Sequence, residues 1–576
     1  MTQHILDVRK AHWLACGALV RAAAFGVVIL ILNVSRAAAA NWNVSSTADN
    51  NALGTLRFAV NNAAAQDTIN FAAALAGQTI TLTGGELAIG KSMTIAGPGP
   101  TNLAIVNLNG RVFHVINGPV SVSISGLQLT GRLIGTDGSD GTFIAPDGLP
   151  GADATGGCIQ NDPQCTLTVS NCFFTGCEAR AGNGGNGYTN DTYGFLSNGG
   201  QGGECCGGAI CNNMGDLLLY RCTFSSNSSA GGRGGNGYYG GAGGAGGVGQ
   251  GGALCDVYGN QDILIVNCTF YTNSASGGFG GNAGDAWKYH VGPANGGPGG
   301  PGGEADGGAI FIGQGCPMPD CTGLVHDTID DNVISPGGGK PGGAGVNGGN
   351  QGARGANGAA NGGGLNHAIA GHVPINNTII AGDFASFQFT AGAITYNGPD
   401  IFGSVDSFHY NLVGVVDASS SGWIAGFDIT GSTTAPIDPL LGPLQNNGGE
   451  TLTMSPLACS PAIDAGSAGG ANRDQILQQR PVGVTSPPYV SDGSDIGAYE
   501  LQSYPPGAVV SLSIAHSGNG VIISWPASSC FVLQQATDLV NPQWINSPYP
   551  VNVVGNQRQV TISPAPGNLF FRLFHP

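Results

Sequence analysis

The chain has 576 residues, of which 41% are hydrophobic, only 9% charged and 102 glycine, with a formal net charge of −17. That glycine load excludes helical bundles, since each interior Gly costs a helix about 1 kcal/mol against Ala. The acidity excludes nucleic acid as a partner, because phosphates need a basic footprint. Disorder is excluded by Val, Ile, Leu and Phe recurring in short regular bursts, the pattern of brief strands between turns.

Residues 1–40 read as a secretory signal peptide. Arg9, Lys10 and Arg21 supply positive charge, residues 22–32 an apolar core, and Ala38-Ala39-Ala40 a small-residue cleavage site. The apolar run is too short to span about 30 Å of hydrocarbon comfortably. The expectation is a cleaved leader, no transmembrane segment afterwards, and a secreted or cell-surface location. All 15 cysteines but Cys16 then enter an oxidising compartment.

Residues 54–64 space Leu56, Val60 and Ala63 for a helix, and short strands follow at 68–71, 79–82, 92–95, 112–116 and 120–129. A solenoid needs its open end covered, so this helix is the expected N-terminal cap.

From residue 156 the chain repeats. Gly156-Gly157, Gly207-Gly208, Gly251-Gly252, Gly307-Gly308 and Gly362-Gly363 open successive units, spaced 51, 44, 56 and 55 residues apart. A second apolar run follows each pair. It aligns Phe174, Phe224, Phe270, Ile329 and Ile379 in one column, and Cys172, Cys222, Cys268, Asp327 and Asn377 in another. Asn227, Asn273 and Asn332 recur at the next turn. Like residues at like positions are what a β-solenoid requires, because coils stacked about 4.8 Å apart turn each position into a ladder. The stacked cysteines lack the spacing of metal ligands and read as a packed ladder. Disulfides are expected elsewhere: Cys316 with Cys321, and among Cys158, Cys165, Cys177, Cys205, Cys206 and Cys211, with connectivity open.

A bare coil needs about half of each repeat. The rest is Gly-rich, at roughly 179–206, 229–250, 275–306 and 335–361, often with Gly at every third position, as in Gly349, Gly352, Gly355 and Gly358. That period suits extended, three-residue-per-turn segments of the polyproline II type. The tracts leave successive coils at one point, so they must lie side by side, either as an ordered layer or as flexible loops.

Six motifs carry resemblances to known groups. Thr55-Leu56-Arg57-Phe58-Ala59-Val60, Asp67-Thr68-Ile69-Asn70-Phe71 and Ile80-Thr81-Leu82, with the Gly-Gly repeats, look like bacterial right-handed parallel β-helix surface proteins with polymorphic-outer-membrane-like repeats. Asp438-Pro439-Leu440-Leu441-Gly442, Ser460-Pro461-Ala462-Ile463-Asp464-Ala465-Gly466 and Asp495-Ile496-Gly497-Ala498-Tyr499-Glu500 closely resemble a choice-of-anchor Q domain. One departure is visible: Asp474-Gln475 and Arg480-Pro481 are separated where the family has a compact segment. The resemblance implies an extracellular bacterial β-helix ending in a surface-anchoring region. The tail from 505 alternates apolar and polar residues between Pro, Gly and Asn, which reads as a small β-sandwich.

Catalytic machinery is sparse. A glycosidase needs two carboxylates at set separation, and the candidates are Asp327, Asp330 and Asp331, with His326 beside them. A lyase wants a basic residue, yet beyond the leader only Lys91, Lys288 and Lys340 are lysines. The tract Gly281-Asn282-Ala283-Gly284-Asp285 matches a calcium-binding repeat poorly, and His290, His326, His367 and His372 fit no ligand spacing.

The sequence therefore divides into a signal peptide (1–40), a right-handed parallel β-helix with N-terminal cap and Gly-rich loop insertions (41–435), a choice-of-anchor Q-like region (436–504) and a small β-sandwich (505–576). Its expected function is a secreted structural or adhesive scaffold with a surface or environmental polysaccharide as partner, and no cofactor or metal. The alternative is a carbohydrate-active enzyme of the same fold, a polysaccharide lyase or glycoside hydrolase.

Overall fold

The computed structural model describes residues 39–576 apart from 191, 193, 258–262, 314–322, 368–370, 372, 390, 394, 486–490, 504–510, 518–519, 527–530, 541, 556, 564–567 and 575–576. The expected leader through residue 38, the expected Cys316–Cys321 pairing and His372 lie outside the described residues.

Each coil follows from its turns. The first Gly of each pair, Gly156, Gly207, Gly251, Gly307 and Gly362, has φ between 58° and 74°, a left-handed conformation that a Cβ would strain. Just past it a three-residue strand such as Ile159–Asn161 joins a nine-stranded parallel sheet. Thr166–Ser170 then joins a ten-stranded parallel sheet, and Phe173–Thr175 with Glu178–Arg180 a fifteen-stranded one. After the Gly-rich tract, Cys205–Cys206 enters a six-stranded sheet and the next coil begins. Several parallel sheets thus stack like a β-helix, with ten rungs in the ten-stranded sheet.

Alternation sends every second residue inward. Leu167 pairs with Val122 below and Leu217 above, and the Phe174, Phe224 and Phe270 rings stack at 4.6 and 4.7 Å, within 6° of parallel. Cys172, Cys222 and Cys268 are free, buried thiols beside this ladder. The N-terminal helix, Leu56–Asn62, is capped by the Thr55 hydroxyl and buries Leu56, Ala59 and Val60 in the main core.

Two expectations need correction. The final column slips by one residue: Ile329 pairs with Ile380, and Thr328 with Ile379. His326 and Asn377 share the left-handed turn column with Asn171, Arg221 and Asn267, so Asn377 faces His326 and not Asp327. The slip keeps buried Leu324 on buried Ile375, whereas the other register would turn each apolar side chain outward. Of the disulfides, Cys158–Cys177 falls inside the expected set, but Cys206 bridges to Cys255, outside it. Cys206 lies one rung below Cys255, which stacks on Cys211, so stacking brought in a partner 49 residues away.

Residues 436–501 fold back along the solenoid wall. Gln475 Nε2 donates to Cys222 O and Thr223 Oγ1, while Thr269 Oγ1 donates to Gln475 Oε1 at 2.6 Å. Buried Arg480 pairs with Glu500 at 2.8 Å, and the extra residues between Gln475 and Arg480 form a turn held by Asp474. The tail forms two small antiparallel sheets sharing Ile523, Trp525, Leu533, Val560 and Ile562.

Candidate functional site

The Gly-rich tracts are ordered. Each leaves the solenoid as one extended leg and returns as another, and hydrogen bonds recur at every third residue. Gly232 and Gly235 donate to Gly203 O and Gly200 O of the preceding hairpin; Gly244 and Gly247 donate to Gly235 O and Gly232 O of their own. Gly278 and Gly281, then Gly300 and Gly303, continue the pattern. A period of three in both sequence and bonding is polyproline II geometry, here assembled into a two-layer plate. The seam is as narrow as backbone allows: a Cβ on Gly235 would lie 1.9 Å from Gly185 O, and one on Gly247 1.8 Å from Gly203 O.

The third residue of each Gly-Gly-X triplet faces outward, and one outer column is an amide ladder. The Asn186 backbone donates to Asp140 Oδ1, Asn236 to Asn186 Oδ1, and Asn282 to Asn236 Oδ1, at 2.6–3.0 Å. The next residue in this column is Pro341, which has no N–H to give.

Aromatic residues gather where the legs reverse. Phe143 meets Tyr188 and Phe195 edge to face, and Trp287 meets Tyr289 at 5.7 Å. Ile144 is 92% and Val291 96% exposed. The hairpin of the shortest repeat reverses through Tyr238, Tyr239 and Gly240, with φ of 54° and 87° at the last two. The neighbouring tracts are longer, and Gly194 lies against the Trp287 ring, where a Cβ would come within 2.2 Å. The step in length leaves a cleft of about 440 Å³ lined by Asn236, Tyr238, Tyr239, Asn282, Asp285 and Lys288 among others.

The acidic candidates lie elsewhere. Asp327 is fully buried and accepts the Cys268 and Val325 backbone N–H groups at 2.7 and 2.9 Å, so it holds two strands in register and reaches no solvent. His326 is buried too. Its Nε2 donates to Ala468 O and its Nδ1 accepts from Asn377, and burial pushes its pKa well down, so it stays neutral. Asp330 and Asp331 are half-buried, with Asp400 and Asp438 near Asp330. Burial, then these neighbours, raise Asp330 to about 7. The Asn227–Asn273–Asn332 ladder runs on into Asp383, whose Oδ1 accepts from Asn332. No three such groups converge as metal ligands among the described residues. Lys91 donates to Ala63 O, and Lys288 lies over the Tyr289 ring.

The chain matches no family model and no curated sequence. Among solved structures, one described as "Structure of PL6 family alginate lyase AlyGC" aligns at 10% identity over 72% of this chain, with a TM-score of 0.14. The chain covers 55% of that protein's length, and a likeness of this size carries no argument.

Sequence reasoning passed over one polar cluster. On the nine-stranded sheet, His114 Nδ1 meets Glu86 at 2.9 Å and Nε2 meets Asp162 at 3.1 Å, while Arg111 pairs with Glu86 at 2.7 Å. The Glu86 hydrogen bond, with help from Asp162, raises the His114 pKa. The partners are 28 and 48 residues away, so no local motif marks them. The tip cleft did leave a trace, in the one short spacing of 44 residues among 51, 56 and 55.

Proposed function

We propose that this chain is a secreted, cell-surface adhesive scaffold: a right-handed β-helix of the surface-protein type that carries a rigid Gly-rich plate and holds the plate's edge against polysaccharide. The 436–504 region and the tail serve attachment, as the choice-of-anchor Q resemblance implies. The observation that carries this reading is the hydrogen-bonded plate with aromatic and aliphatic side chains concentrated at its free edge. Exposed apolar patches of this kind mark contact sites, and a rigid support lowers the ordering cost of binding.

The enzyme alternative is favoured by one observation, the Glu86–His114–Asp162 network with Arg111. Both imidazole nitrogens are already engaged there, and Arg111 also donates to Thr155 O. The test is co-sedimentation of the mature chain with insoluble polysaccharides and with bacterial cells, run beside a depolymerisation screen. Retention without product release supports the scaffold. Turnover lost on Glu86→Gln would favour the enzyme, and protein found only in the cytoplasm would defeat the surface assignment.

A further inference from the structure

The adhesive reading leaves open what the plate edge recognises, and the cleft above the short hairpin narrows it. We infer that this cleft binds a neutral polysaccharide, with Tyr238 and Tyr239 stacking on sugar faces and Asn236, Asn282 and Asp285 bonding hydroxyls. The inference rests on the adhesive reading.

Three features converge. The cleft volume of about 440 Å³ falls within the usual range of small-ligand sites, about 300–1,000 Å³. Two half-buried tyrosines stand side by side, ring centroids 6.4 Å apart, and offer the apolar faces that a pyranose C–H surface needs.

The polar groups are left over by the ladder itself. Asn282 gives both its N–H and its Nδ2 to Asn236 Oδ1, each at 3.0 Å. Its own Oδ1 would take the next backbone N–H in the column, but Pro341 stands there. Asn282 is exposed and lines the cleft, and the interrupted ladder leaves its Oδ1 without a backbone donor from the next hairpin. Asn236 Nδ2 donates to no group among the described residues. Asp285 takes the Ala344 N–H with Oδ1 and keeps Oδ2 for a second donor. Alternating donors and acceptors suit vicinal hydroxyls, which both give and accept.

Charge selects the class. Asp285 and Lys288 offset each other at the cleft, so no net positive field draws a uronate or sulfate. The whole chain at −17 repels polyanions at long range. A neutral chain meets neither barrier.

The test is affinity gel electrophoresis of the mature chain through laminarin, mannan and xyloglucan, with alginate and polygalacturonate as anionic counterparts. At least one neutral gel is expected to retard the protein. Tyr238→Ala/Tyr239→Ala should weaken that retardation at least tenfold and Asn282→Ala severalfold. Tyr238→Phe/Tyr239→Phe, which keeps both stacking faces, and Lys288→Met should bind nearly as the parent does. Unchanged melting of each variant separates a lost contact from a lost fold. If the double alanine variant is retarded like the parent, the cleft is wrong while the adhesive reading stands. If alginate retards the protein and Lys288→Met abolishes it, the ligand is anionic and the neutral assignment falls. If no polysaccharide or cell surface retains the chain, the adhesive reading falls with it.

Discussion

Gly235→Ala probes one of the close contacts of the plate. The new Cβ would sit 1.9 Å from Gly185 O, and real Cβ contacts essentially never fall under 3.0 Å, so the two legs must part by more than 1 Å. That movement breaks the Gly184-to-Arg233 and Gly187-to-Asn236 bonds that join these legs, both at 2.8 Å. Each contributes about 0.5–1.5 kcal/mol net, so their loss costs about 1–3 kcal/mol. Removing Gly from the unfolded chain offsets about 0.4–1 kcal/mol of this. The remaining destabilisation of about 1.4 kcal/mol multiplies the open population about tenfold, and limited proteolysis reads that population when closing is fast. Cleavage within 229–250 should therefore accelerate about tenfold. Ala245→Ser, on the outward triplet position of the same hairpin, should change it less than about twofold. Equal cleavage of the two variants would refute the close-packed seam.

Three further outcomes follow from the solenoid. Phe224→Ala, in the middle of the stacked rings, should cost about 3–5 kcal/mol and lower the melting temperature, whereas Cys222→Ala should cost less. His114 has its pKa raised by Glu86 and then Asp162, so its contribution is full below the unfolded value of about 6.5 and is lost as pH rises through the higher folded value. The urea-stability gap between the parent and His114→Gln should accordingly be larger at pH 5.5 than at pH 8.5. Asp330 has a folded pKa of about 7, so its contribution is present below about pH 4 and lost as pH rises toward 7. Asp330→Asn should gain about 1–3 kcal/mol at pH 8 and nothing at pH 4, measured by urea unfolding at both.

The solenoid was legible because its physics is periodic. The left-handed glycines, the Phe174–Phe224–Phe270 column and the Asn227–Asn273–Asn332 ladder repeat in sequence because they stack in space. The helix at Leu56–Asn62 was readable for the same local reason. Register was less secure where a strand shortened: Pro374–Asn376 has three residues where Thr166–Ser170 has five, and the alignment slipped by one. What could not be read was whatever depends on chain folding back across the coils. His326 and Asp327 look like surface candidates until Ala468 and Asn377 close over His326 and Asp327 turns to backbone amides. Glu86, His114 and Asp162 lie on three different rungs. The Gly-Gly-X period predicted the leg conformation, while the choice between a layer and loose loops turned on hydrogen bonds between hairpins some 45–60 residues apart.

The most direct measurement is hydrogen exchange of the mature chain, alone and with the neutral polysaccharide that retards it. The account predicts slow exchange at Gly232, Gly235, Gly244, Gly247, Gly278, Gly281, Gly300 and Gly303 in the free protein, and added protection on binding confined to residues 236–239 and 282–290. Complete exchange of those glycines within the dead time, or protection falling on the solenoid wall or tail instead, would contradict it.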